Sequence, residues 1–115
     1  MEVREAWIKA SVEHWILRIK YLSRKKGEIT QREIEPDFIG YSRDGKNYGY
    51  WAAYDYLRRD SPRCFKPENI MEWNVSKRKF DFSSFSSVRR WRELIPLYES
   101  LNLNNKPWPS EKVID

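Results

Sequence analysis

Residues 32–70 read REIEPDFIGYSRDGKNYGYWAAYDYLRRDSPRCFKPENI, and the punctuation of this stretch decides the fold. Alternating apolar and polar positions mark strands, because successive strand side chains point to opposite faces. Two turn signals, Ser42-Arg43-Asp44-Gly45 and Asp60-Ser61-Pro62, separate such runs here. Between them, residues 48–56 read as an aromatic strand. Tyr48, Tyr50, Ala52 and Tyr54 share one face; Gly49, Trp51, Ala53 and Asp55 share the other. Alanines in mid-strand imply close packing on a neighbour, and Gly49 implies a bulge or bend. Arg63-Cys64-Phe65-Lys66 reads as a short return strand with Arg63 and Phe65 on one face. Pro67-Glu68-Asn69 turns it into a further strand, residues 70–75, that ends at the basic cluster Lys77-Arg78-Lys79.

Upstream, residues 3–15 have helical spacing: Val3, Trp7, Ala10 and His14 recur on one side, and Arg4, Glu5, Lys9 and Glu13 on the other. His14 is the single histidine. It reads as a polar residue closing the helix end, where the macrodipole favours a cation. Without a Cys/His cluster it does not suggest a metal site. Residues 16–23 then alternate, with Leu17, Ile19 and Tyr21 opposite Ile16, Arg18, Lys20 and Leu22. Lys25-Lys26-Gly27-Glu28 reads as a hairpin connection in which Gly27 supplies a positive φ. The strand resumes over residues 29–35, and Pro36, which has no N–H, ends ladder donation there. Thr30, Arg32 and Ile34 share a face. An arginine aligned with apolar neighbours sits either at the rim of a sheet or against a ligand anion, and the spacing alone favours the rim.

Downstream of Asp81 the character changes. Ser83 or Ser84 can cap a helix, and Phe85, Val88, Trp91 and Ile95 form its apolar stripe. Pro96 must end or kink that helix, with residues 97–101 adding one more turn. The tail NLNNKPWPSEKVID reads as loop, and its Trp108 is expected to pack on the body or on a partner. Residues 1–80 and 81–115 are thus expected to form a sheet with a leading helix, and a C-terminal helix and tail packed on the same single domain. The fold class is α+β, mainly β: a small barrel or a strongly twisted antiparallel sheet, with a helix at each end.

At 115 residues the chain suffices for one core. Its 40% apolar residues include six Trp, seven Tyr and five Phe, a globular composition. No apolar run approaches the roughly 20 residues that span a bilayer, and MEVREAWIKA lacks a signal core. The single Cys64 cannot form an intramolecular disulfide, which fits a reducing, cytoplasmic setting. Lysine and arginine number 22 against 17 acids, a net charge of +5. Residues 1–80 carry the whole excess. This charge suits nucleic-acid or phosphate partners and equally suits solubility alone.

Three pieces give the chain a resemblance to the WYL domain, an Sm/SH3-like barrel of bacterial transcriptional regulators and of CRISPR- or phage-defence-associated proteins. They are IKYLSRKKGEITQREIEP, a strand ending in an aromatic, then a hairpin and Arg…Pro; GYWAAYD, which lines up with the namesake strand; and RCFKPENI, which matches an Arg-x-Phe-x-x-x-x-Ile close. With the leading helix they cover about residues 3–75. At the namesake motif Gly49 stands in place of Trp and Trp51 in place of Leu, so only Tyr50 follows the pattern. Residues 1–15 are too short for the helix-turn-helix that such domains usually follow.

The resemblance implies an electropositive groove that binds a nucleotide or single-stranded nucleic acid. Carried over to this chain, its residues are Tyr21, Arg32, Tyr50 and Arg63; the charge pattern adds Lys66. A guanidinium offers a two-pronged fork to phosphate, and a tyrosine offers a face to a base. The competing reading makes Tyr21 and Tyr50 core residues and pairs Arg32 with Glu33, Glu35 or Asp55 at the surface, where such a pair contributes little. A second function class is a protein-interaction domain that engages a homodimer or partner protein through the aromatic C-terminal helix and tail. No Ser/His/Asp set, Cys/His pair or glycine-rich phosphate loop marks an enzyme, and no cofactor or metal is expected. RNA cleavage assisted by Arg32, Arg63 and Tyr50 is the one catalytic route left open.

Overall fold

The first helix, α1 (Val3–Glu13), starts where the Glu2 N–H donates to the Glu5 carboxylate at 3.4 Å, half of a capping box. It stops because His14 adopts a left-handed conformation, φ 64 and ψ 45, from which its N–H reaches the Ala10 carbonyl. The computed structural model describes residues 1–23, 25, 27–39, 51–81, 88–108 and 113–114. Its strands are β1 (Trp15–Ser23), β2 (Glu28–Ile39), β3 (Trp51–Asp55), β4 (Arg58–Phe65), β5 (Ile70–Lys79) and the short β6 (Val113–Ile114). A second helix, α2 (Val88–Ser100), follows β5.

The strands form one sheet in the order β4-β3-β2-β1-β5-β6, all neighbours antiparallel except β5 and β6. The sheet is therefore open, the twisted alternative to a closed barrel, with the expected helix at each end. It curls strongly all the same. Phe65 on the outermost strand β4 reaches Tyr21 on the central strand β1, their rings edge-on with centroids 5.0 Å apart. Trp7 of α1 fills the concave side, its ring 5.1 Å from Trp51 and 6.2 Å from Phe65. Leu17, Ile19, Ile34 and Ala53 complete the core around it.

Where sequence and structure differ, the sheet itself supplies the reason. The β1–β2 ladder ends at Leu17 opposite Ile34, but β2 does not stop at Pro36. It changes partner and continues along β3, with Pro36 opposite Ala53. Asp60-Ser61-Pro62 is not a turn. Those residues lie within β4, and the chain reverses at Tyr56-Leu57, between the paired residues Asp55 and Arg58. The Asp55 carboxylate nucleates that reversal by accepting the Leu57 N–H at 2.9 Å. Pro62 is tolerated because β4 is an edge strand, where a missing N–H breaks no ladder. Strand β5 runs on through Lys77-Arg78-Lys79 rather than ending at that cluster.

Helix α2 continues through Pro96 to Ser100. Residues 82–87, with the expected serine cap and Phe85, lie outside the described residues. Among the described side chains of α2, Leu94 is the buried one. Glu13 ties the helices together: it pairs with the buried Lys9 at 2.6 Å and accepts the Tyr98 hydroxyl at 2.7 Å and the Trp15 indole N–H at 3.2 Å. The tail turns back onto the body. Leu103 is fully buried, Trp108 packs against the core beneath the Lys9 ammonium, and β6 adds to the free edge of β5.

Candidate functional site

Two strand ends and a turn make the corner that holds most of the expected site. Tyr21 lies near the end of β1, Arg32 beside it on β2, and Lys66 just after β4. The Lys66 backbone N–H donates to the Tyr21 hydroxyl at 2.9 Å, which ties the end of β4 to β1 across the curled sheet. The Arg32 guanidinium stands 6.0 Å from the Tyr21 ring and 6.0 Å from the Phe65 ring. Tyr21, Arg32 and Lys66 are thus brought together, with Phe65 as the common contact.

Arg32 is no surface residue. Its Nη1 meets the Asp55 carboxylate at 2.6 Å, and its Nε donates to the Thr30 hydroxyl at 3.0 Å. The arginine side chain is 10% exposed and the aspartate 0%. The surface pairing expected for Arg32 is therefore a buried one, and of the three expected carboxylates Asp55 is the partner. Burial changes its meaning, because losing either member would strand a charge away from water. Asp55 serves two ends at once, holding Arg32 on β2 and shaping the turn at Leu57.

Arg63 differs. It lies on edge strand β4 opposite Ala53, half-buried, and its side chain makes no ion pair or hydrogen bond among the described residues. Strand alternation puts it on the same side as Phe65, two positions away. Tyr50 lies outside the described residues. No group of histidine, cysteine, aspartate and glutamate side chains among the described residues could hold a metal ion.

A second feature was not foreseen. The β3–β4 hairpin pairs with β2 only from Ile34 onward, so the preceding part of β2 projects past it and leaves a notch. An open depression of about 570 Å³ occupies that notch, lined by Arg18, Gln31, Arg32, Glu33, Tyr56 and Leu57. The Tyr56 N–H donates to the Glu33 carbonyl at 3.0 Å and closes one end. Glu33 faces Arg18 at 3.4 Å and also pairs with Arg78. The Tyr56 hydroxyl donates to the buried Glu35. The one hint in the sequence is Leu57, an apolar residue followed directly by Arg58 and Arg59. Its position was hidden because the turn was expected three residues later.

His14 shows how burial overrides a sequence-level rule. Desolvation and the neighbouring Lys79 push its imidazole below the usual range, against the charged form. It closes α1 through its backbone conformation, not as a cation answering the helix dipole.

No family model matches the sequence, and no curated protein matches it. Among solved structures the chain is similar to the proteasome accessory factor B/C (PafBC) of Arthrobacter aurescens, at 26% identity and a TM-score of 0.50. The likeness covers 60% of this chain and 10% of that one, so this chain corresponds to a small part of the longer protein. It supports a WYL-like fold. No helix among the described residues is long and apolar enough to cross a membrane.

Proposed function

We propose that this domain is a regulatory or sensing module that binds a nucleotide or single-stranded nucleic acid at the Tyr21–Arg32–Arg63–Lys66 corner. The observation that carries the reading is Arg63. A half-buried guanidinium without a carboxylate among the described residues retains its fork for an incoming anion. It sits beside a corner already packed with aromatic rings, the combination that single-strand binders use for phosphate and base. Arg32 has a different part: it is held by Asp55 and positions the corner from a fixed place, leaving the phosphate to Arg63 and Lys66. The likeness to PafBC supports a regulatory or sensing module, and no step in this reading breaks a covalent bond.

Of the alternative docking surface, the aromatic C-terminal helix and tail, Leu94, Leu103 and Trp108 pack on the domain itself, while Phe85 and the Trp91 side chain lie outside the described residues. The test is fluorescence anisotropy of short labelled single-stranded DNA and RNA against the purified chain at low and high salt. Binding is expected to fall with salt, because displaced counterions drive phosphate contacts. It is expected to weaken in Arg63→Ala while the RNA stays intact. Binding unchanged in Arg63→Ala would remove the corner from the account, and a cleaved RNA would reopen the catalytic reading.

A further inference from the structure

We propose that the notch beside the β3–β4 turn is a pocket for an uncharged heterocycle, the nucleobase of a nucleoside or nucleotide. The inference rests on the reading above and adds which part of the ligand goes where. The guanidiniums lining the notch are already answered: Arg18 by Glu33 at 3.4 Å, and Arg32 by Asp55 at 2.6 Å. A polyphosphate gains little from charges matched in this way, since it must displace a carboxylate to reach them. A base edge needs something else, namely donors and acceptors side by side, and a flat apolar surface.

The notch has both. Gln31 is exposed and carries an amide that donates and accepts, while Glu33 accepts and Arg18 donates. On the opposite lip stand Tyr56 and Leu57. Leu57 is 64% exposed, one of three large apolar side chains left in water among the described residues. A planar ring laid against it would bury that surface. The volume of about 570 Å³ falls within the range of small-ligand sites. Arg32 lines this notch and also stands against Tyr21 and Phe65, so it is the wall shared with the phosphate-binding corner.

Isothermal titration calorimetry of the full chain with the common ribonucleosides and their 5′-monophosphates, at low and high salt, tests the assignment. At least one nucleoside is expected to bind with an affinity nearly independent of salt. Leu57→Ser and Gln31→Ala, both at exposed positions that leave the core intact, are expected to weaken it about tenfold, the equivalent of one lost stacking or edge contact. Arg63→Ala should leave nucleoside binding unchanged and weaken only the monophosphate. If oligonucleotides bind but nucleosides do not, or if binding ignores both notch variants, the notch assignment falls while the corner survives. If no nucleoside, nucleotide or oligonucleotide binds, both fall.

Discussion

Arg32 and Arg63 carry the same guanidinium on one curled sheet, and both stand two residues from an apolar side chain on their own strand face. Their surroundings separate them. Arg32 is 10% exposed and locked to an aspartate that water does not reach, whereas Arg63 lies half-buried on an edge strand and its side chain makes no bond among the described residues. The first holds β2 to the β3–β4 turn. The side chain of the second has no partner among the described residues, which is why the proposed ligand is assigned to it. A basic residue in a sequence is a charge of unknown employment, and its employment is set by whether a carboxylate shares its burial.

The sharpest way to break this contrast is at Asp55. Replacing it with alanine strands the Arg32 charge and removes the acceptor that shapes the turn, so Asp55→Ala should destabilise the fold by about 3–5 kcal/mol in urea denaturation. Arg32→Ala should cost a similar amount, and the double variant less than the two together. A loss below about 1 kcal/mol would put Arg32 back among the ligand-binding candidates, since surface pairs contribute only that much.

A smaller effect tests the corner that both arginines adjoin. Tyr21→Phe leaves the ring against Phe65 but removes the acceptor for the Lys66 N–H, and should cost about 1–3 kcal/mol. Arg63→Ala should shift stability by less than about 0.5 kcal/mol while lowering nucleic-acid affinity. An Arg63→Ala protein that unfolds as readily as Asp55→Ala would erase the distinction between the two arginines.

The smallest effects lie on the helical side and set both regions against a titrating background. The Tyr98 hydroxyl, desolvated and bonded to Glu13, is pushed up to about 12 from an ordinary value near 10. The folded state therefore keeps its proton longer than the unfolded chain, and this contribution is lost as pH rises from about 10 to about 12. Tyr98→Phe should flatten that alkaline limb. His14 works in the opposite sense. Its folded value is lowered, so its contribution is present above the unfolded value near 6.5 and is lost as pH falls below it. Thermal melts across pH, compared with His14→Asn (a residue that also accepts the left-handed conformation), would show the acid limb shrink.

Much of the sheet was legible because alternation is local. The β1–β2 hairpin, with Gly27 at φ +62, follows from residues adjacent in the chain. The β3–β4 reversal was not, since Asp60-Ser61-Pro62 has every local mark of a turn. Whether proline can sit in a strand depends on whether another strand lies alongside, which no neighbour in sequence reports. The notch failed for the same reason: misplacing the turn hid the lip that Tyr56 and Leu57 form. Trp108 was read correctly as a residue that must pack, because a large aromatic surface left in water is costly wherever the chain takes it.

Sequence alone determined the strand and helix periods, the α+β class, and a set of cations interleaved with aromatics. Those depend on side-chain spacing, which the chain fixes before it folds. The tertiary structure decided that the sheet curls without closing, that Asp55, twenty-three positions away, takes Arg32, and that the Arg63 side chain meets no carboxylate among the described residues. These outcomes depend on burial and on contacts between distant strands. The same charge is worth little in water and a great deal once the sheet has curled over it.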